Sequence, residues 1–403
     1  MMLSFDNTEF AFAYKTDKEL RKAKLLFSLM GMGWLVKSGT RVTPWLIKNH
    51  LPVNALIRNT IFKQFVGGET LPETARVADR LSQYNVQVIL DYGVEGKEGE
   101  ESFDHAADEF IKVIQYAATQ PNIPFMSVKV TGFIRFGLLE KLDAASNDNS
   151  GVEGKIHVEV LSEEEKEEWQ RAINRLLRIC EAAARNNVGV LVDAEETWIQ
   201  DPVDAITMLV MEKYNKTKVV VYNTLQLYRH DRLQFLKDSF EAAQRKNFIL
   251  GAKLVRGAYM EKERKRAVEK NYPSPIQPDK ESTDRDYDAA VEFCIDNIDK
   301  LFLIVASHNE NSNLYTTRLL LERNLPLNHS HVHFSQLLGM SDNITFNLAR
   351  SGCSVSKYLP FGPLKDVVPY LMRRAQENSS VSGHTGRELQ LIKNELKRRR
   401  LNK

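Results

Sequence analysis

Four residues near the C-terminus, Tyr370, Arg373, Arg374 and Glu377, have types and spacing that suit recognition of a small molecule. Their offsets of 0, 3, 4 and 7 put them on one face of a helix. Two guanidiniums beside a tyrosine suit a carboxylate with an apolar body, because each guanidinium can grip a carboxylate through two parallel hydrogen bonds. An isolated Arg-Arg pair is more often a solvated surface face. What decides between the two is the set of elements that positions the stripe.

Those elements have a clear rhythm. Short runs rich in Val, Ile and Leu, at 86–90, 126–130, 188–192, 218–222, 249–253, 302–306, 331–334 and 353–357, read as strands. Helical stretches lie between them at 104–119, 163–186, 202–214, 231–246, 284–299, 311–323 and 336–350, with a last one at 366–378. Continuous apolar strands are buried on both faces, the pattern of a parallel sheet with helical crossovers. Eight successive units predict an α/β fold, a distorted (βα)8 TIM-like barrel. No GxGxxG opens a helix, so an open dinucleotide-binding sheet loses its main support. Residues 1–80 read as an N-terminal helical arm or cap, in which Thr16-Asp17 caps a stretch through Leu35. The barrel domain is expected over 81–390 and a basic C-terminal tail over 391–403. Segments 144–154 and 272–282 read as a loop and an excursion.

In such barrels the active site sits where strands run into the following loops. Those positions are Asp91, Lys129, Asp193-Ala-Glu-Glu196, Gln226, Arg256-Gly-Ala-Tyr259, Ser307-His-Asn309, Gln336 and Tyr358, with Lys253 slightly earlier in the fifth strand. One polar strand end is usually a loop cap, but a whole rim of them is a constellation. Lys129, Lys253, Arg256, Arg373 and Arg374 give it a cationic balance suited to an anionic substrate and to cofactor phosphates. A rival chemistry is metal binding by His329-Ser-His331-Val-His333, whose alternate side chains share a strand face. That run lies at the start of its strand, the wrong end for the rim, and no metal site is assigned.

The bulk numbers agree with a globular enzyme. The 403 residues are 43% apolar and 27% charged, with a net charge of +2 that makes no electrostatic case for nucleic acid. The run Lys397-Arg-Arg-Arg400 reads as the end of a solvated helix. Cys180, Cys294 and Cys353 lie far apart, as buried thiols in a reducing compartment would. No apolar run approaches the length of a transmembrane helix. Asp6 and Glu9 argue against a leader peptide, so a cytoplasmic protein, peripheral at the inner face of a membrane, is expected.

The segments Val192-Asp-Ala-Glu-Glu-Thr-Trp198, Lys253-Leu-Val-Arg-Gly-Ala-Tyr259, Ala306-Ser-His-Asn-Glu310, Phe334-Ser-Gln-Leu-Leu-Gly-Met340, Tyr358-Leu-Pro-Phe-Gly-Pro363 and Tyr370-Leu-Met-Arg-Arg-Ala-Gln-Glu-Asn378 together resemble proline dehydrogenase. The resemblance runs over roughly residues 85 to 390. It implies oxidation of L-proline to Δ1-pyrroline-5-carboxylate by non-covalent FAD, with electrons passed to a membrane quinone. A separate pyrroline-5-carboxylate/glutamate-semialdehyde dehydrogenase would take the product.

By the same resemblance Arg373, Arg374 and Lys129 bind the proline carboxylate, Tyr358 and Tyr370 flank the ring, and Leu337 packs on it. Ala194, Gln226, Lys253, Arg256, Gly257, Tyr259, Ser307, His308 and Glu377 match positions that contact or support FAD. Asp193, beside Lys129, stays ionised and orients that lysine. A cation at Lys253 or Arg256 stabilises charge arriving on the flavin. Hydroxyproline-preferring members carry a smaller residue where Tyr358 stands, so proline is favoured over hydroxyproline or another cyclic imino acid. From other classes, a metal-dependent barrel hydrolase and a non-catalytic amino-acid sensor remain alternatives.

Overall fold

The computed structural model describes residues 3–33, 54–93, 98–146, 150–380 and 382–401. Eight parallel strands follow one another in a closed barrel: β1 (Gln87–Tyr92), β2 (Phe125–Val128), β3 (Gly189–Val192), β4 (Val221–Gln226), β5 (Leu250–Val255), β6 (Leu301–Ala306), β7 (Val332–Leu337) and β8 (Val355–Phe361). The chain closes on itself where β1 pairs with β8, Gln87 opposite Ser356 through Tyr92 opposite Phe361. The TIM-like barrel expected from the apolar rhythm is therefore the fold. It divides into two compact units, Met1–Gly93 with Ser335–Lys403, and Val94–Phe334.

Most strands run further toward their carboxyl ends than the apolar runs suggest. β4 begins three residues later than expected, at Val221. Asn215 explains the delay: its Oδ1 accepts from the Val220 and Val221 N–H groups at 2.9 Å each, and its Nδ2 donates to the Val221 carbonyl at 2.7 Å and the Ile249 carbonyl at 3.1 Å. This buried amide satisfies backbone groups that would otherwise begin the ladder. β8 continues past the expected end through Pro360, whose missing donor costs nothing on the side where its carbonyl accepts from Gly67 N–H at 2.8 Å. β2 is shorter than expected, since Val130–Gly132 turns as a 3-10 helix.

In the first unit the N-terminal segment is helical as expected. Asp17–Met30 carries a complete capping box between Thr16 and Glu19 and ends at Gly31, so Leu35 lies outside the described residues. Phe12, Leu20, Phe27, Phe65, Val367, Leu371, Leu391 and Ile392 share one apolar core. The basic run expected to end a helix does so, in Ser382–Leu401. Its basic run is not simply solvated, because Arg399 donates to the carbonyls of Phe12 and Lys15 and pairs with Asp17 and Glu395. The alternating hydrophobic side of this helix needed a partner, and the N-terminal helices supply it.

In the second unit the long helix Glu163–Asn186 has the expected bounds, with a capping box from Ser162 to Glu165 and a left-handed Asn187 as its stop. A helix not expected from the sequence, Met260–Lys270, lies between β5 and the excursion at 272–282, within which Lys280–Asp296 begins. Segment 144–154 is not wholly loop, because Ser150–Glu153 forms one helical turn.

Candidate active site

Three charged side chains meet at the carboxyl ends of strands in the second unit. Lys253 of β5 donates to Asp193 Oδ1 in a very short contact, while Lys129 Nζ lies 3.7 Å from Asp193 Oδ2. The side chains of Lys129, Asp193 and Lys253 are only 15%, 10% and 6% exposed. One aspartate between two lysines leaves net positive charge where water screens it poorly, which favours an anion or a developing negative charge. Asp193 was expected to orient Lys129; its tighter partner is Lys253.

Gln226 ends β4 and is buried. Its Nε2 donates to the Glu195 carbonyl at 2.9 Å, whereas its Oε1 has no hydrogen-bond partner among the described residues. Glu195 is fixed in turn by Thr131 at 2.7 Å, and its own N–H donates to Gln200 Oε1 at 2.7 Å. Ala194, between Asp193 and Glu195, is 9% exposed.

Arg256, just past β5, is held on several sides. It donates to Asp284 at 2.8 Å, Ser307 Oγ at 2.7 Å and Ser312 Oγ at 3.0 Å, and its guanidinium lies 4.3 Å from the centre of the Tyr287 ring. Burial raises the Asp284 carboxyl, but Lys280 and Arg256 more than offset this and hold it below its usual range. Gly257 takes a φ of +140°, and a Cβ there would overlap the Tyr228 ring, so only glycine fits. Tyr259 precedes helix Met260–Lys270. From that helix the fully buried Glu263 accepts the Thr197 N–H at 2.8 Å and the Thr197 hydroxyl at 2.7 Å. It caps helix Thr197–Tyr214, whose own N-cap residue Glu196 makes no capping bond. Ser307 and His308 follow β6, and Asn309 caps the next helix by accepting from Asn311 N–H at 2.9 Å.

Within the first unit, Leu337 and Tyr358 are the partly exposed positions of β7 and β8. Leu338 N–H donates to the Tyr358 carbonyl at 2.9 Å. In helix Leu364–Ser380 the buried face is Val367, Tyr370, Leu371 and Arg374, while Arg373 is half-buried. Tyr370 and Arg374 share the buried side, and the Arg374 guanidinium lies 5.1 Å from the Tyr370 ring centre. The Glu377 side chain lies outside the described residues.

Of the strand-end positions, Tyr358 lies in the middle of β8, and Gln336 is the next-to-last residue of β7. Gln336 is 1% exposed and accepts the Thr345 hydroxyl at 2.8 Å, so it docks helix Asp342–Arg350 and is not a rim group. The histidine run stays at the start of β7, as expected: His331 bonds the Ile298 carbonyl at 2.7 Å, and His333 packs against Phe125. Burial drives His333 down to about 3, so its ring is neutral.

The sequence profile described as proline dehydrogenase matches residues 74–387. The chain belongs to the proline dehydrogenase family. Among proline dehydrogenase relatives, a mitochondrial proline dehydrogenase 1 of Dictyostelium discoideum is 34% identical over 379 residues, covering 86% of this chain and 66% of that one. A hydroxyproline dehydrogenase of Xenopus laevis is 34% identical over 417 residues, covering 97% and 89%. Among solved structures, proline utilization A (PutA) from Bdellovibrio bacteriovorus, inactivated by N-propargylglycine, matches with a TM-score of 0.69 at 19% identity, covering 94% of this chain and 36% of that one. The chain thus spans just under two thirds of the Dictyostelium relative and about a third of the PutA chain. The Dictyostelium relative is mitochondrial by name, in contrast to the cytoplasmic location expected here.

Reading strand ends alone missed Asp284, Tyr287, Ser312 and Glu263. The first two share a helix face at i and i+3, a spacing that points to a common contact without naming it.

Proposed function

We propose that the chain oxidises L-proline to Δ1-pyrroline-5-carboxylate with non-covalent FAD, and that a membrane quinone takes the electrons onward. The reading rests on family membership and, above all, on the excess positive charge of the Lys129–Asp193–Lys253 cluster at the strand ends. The residues fit a flavin. An isoalloxazine needs an acceptor for its ring N–H and a cation near its pyrimidine edge. Gln226 Oε1 is a buried acceptor with no competing partner among the described residues, and Lys253 and Arg256 are the cations. FAD, when bound, supplies the two-electron acceptor.

The protein's part is placement and charge. Arg373 and Arg374 grip the carboxylate, with Lys129 as a further cation, and Tyr358, Tyr370 and Leu337 frame the ring. Asp193, between two ammonium groups, stays ionised and fixes both lysines instead of accepting the substrate proton. Lys253 and Arg256 offset negative charge as the reaction proceeds. Ala194, Gly257, Tyr259, Ser307, His308 and Glu377 complete the cofactor contacts. The product passes to a glutamate-semialdehyde dehydrogenase.

The chain touches its quinone membrane peripherally. Among the described residues no helix is long and apolar enough to cross a membrane. A second reading, hydroxyproline oxidation, is favoured by the 34% identity to the Xenopus enzyme over 97% of this chain. A visible spectrum of the purified protein, before and after anaerobic proline, tests the proposal. Flavin absorbance that bleaches with proline faster than with hydroxyproline is expected. A flavin that only hydroxyproline bleaches would install the second reading, and a protein without flavin would defeat both.

A further inference from the structure

Behind the partly exposed Leu337 and Tyr358, the first unit holds a buried charge cluster that the proposed chemistry does not use. Lys357 precedes Tyr358 in β8, so its side chain leaves the opposite face of the strand. It is wholly buried, which a lysine tolerates only when paired. Its Nζ lies 2.9 Å from Asp342 Oδ1 at the head of helix Asp342–Arg350, and also donates to the Leu337 carbonyl at 3.3 Å and the Met340 carbonyl at 2.5 Å. Asp342 Oδ2 in turn takes Lys15 at 2.8 Å and the Tyr14 hydroxyl at 2.8 Å, both from the N-terminal segment. Glu388, from helix Ser382–Leu401, completes the group by accepting Ser341 N–H at 3.1 Å. Its other oxygen has no hydrogen-bond partner among the described residues.

We infer that Lys357 is a positioning residue for the substrate wall: by bonding the carbonyls of Leu337 and Met340 while anchored on Asp342, it fixes the end of β7 against β8 and so sets where Leu337 and Tyr358 stand. The N-terminal segment and the C-terminal helix share in this, because Lys15 and Tyr14 hold Asp342 and Glu388 holds the N–H of the preceding Ser341. The geometry leaves little slack. Leu338 N–H is bonded to the Tyr358 carbonyl at 2.9 Å, so Leu337 and Tyr358 are tied through the backbone on one side and through Lys357 on the other. A shift of about 1 Å in a wall that orients substrate is enough to lose binding without touching the reacting atoms. This inference rests on the proposed role of Leu337 and Tyr358 in holding proline.

Lys357→Met alone removes a positive charge from a dry cluster and can destabilise the fold. Lys357→Met with Glu388→Gln removes the lysine together with the second carboxyl of the cluster, keeps the Lys15–Asp342–Tyr14 group, and leaves an acceptor for Ser341 N–H. The flavin-loaded double variant is compared with the parent protein by thermal melting, flavin content and steady-state kinetics. The expected result is a melting temperature and flavin content close to the parent, kcat within about twofold, and a KM for proline raised about tenfold. A KM that returns to the parent value along with the melting temperature would make Lys357 a stability residue only and overturn the inference. A double variant that loses flavin or stability would overturn it too, since the paired changes then fail to isolate a role in positioning. A parent protein that proline cannot reduce would overturn the functional reading beneath it.

Discussion

At the scale of single residues, Arg256 is held on several sides, with Asp284, Ser307, Ser312 and the Tyr287 ring around its guanidinium. Arg256→Met leaves Asp284 without one of its two cations, and flavin per mole of purified protein should fall by about half or more. Unchanged flavin content would separate Arg256 from the cofactor. Arg373 is half-buried and suited to a ligand carboxylate. Arg373→Met should raise the KM for proline by about tenfold or more while FAD stays bound, because a charge-assisted pair with the substrate carboxylate is lost. Normal proline affinity in that variant would refute the carboxylate assignment. Among the residues found by sequence, Lys129, Asp193 and Lys253 were legible as polar strand ends, but their order of contact was not. Which lysine lies closer to Asp193 depends on how β2, β3 and β5 are staggered, and stagger leaves no mark on local composition.

At the scale of elements, two side chains do work that no run of apolar residues records. Glu263 caps a helix that begins 66 residues earlier in the chain, at Thr197. Glu263→Ala should leave the Thr197 N–H and hydroxyl unpaired in a buried place and cost about 1–2 kcal/mol in chemical denaturation, with Glu263→Gln recovering part of it. A loss within a few tenths would mean that another group takes over the cap. Asn215 decides where β4 starts by occupying four backbone groups, so its amide is a long-range version of the local side-chain bonds that compete with regular structure. The strand bounds were therefore readable to within a few residues where they followed apolar periodicity. They failed where one buried polar side chain or one proline changed the ladder.

For the molecule as a whole, stability should carry a pH signature set by two half-buried acids away from the proposed chemistry. Burial, and then the charge of a neighbouring aspartate, pushes Asp143 up to about 7 and Asp201 up to about 6. Both values lie above the usual carboxylate range, so between about pH 4 and pH 7 the folded state keeps protons that the unfolded chain releases. Their contribution is thus most favourable below pH 4 and is lost as pH rises through 6 to 7. Asp143→Asn still accepts the Asp201 N–H, which lies 3.0 Å from Asp143 Oδ2, and cannot ionise. It should match the parent near pH 4 and exceed it by about 1 kcal/mol above pH 7. A difference that does not vary with pH would rule out the titration.

The sequence by itself determined the barrel, the family and the residues that carry charge, because each is written in short-range information: apolar runs repeating with the βα period, capping boxes, and motifs of a few adjacent residues. Only the tertiary structure decided which charges meet. It moved Gln336 from the rim to a helix dock and packed the basic C-terminal run against the N-terminal segment. It also gathered Lys15, Asp342, Lys357 and Glu388 into one buried group from four distant stretches. Coulomb and hydrogen-bond terms act over a few ångströms of space whatever the separation along the chain, so such groups exist only once the fold has brought their elements together.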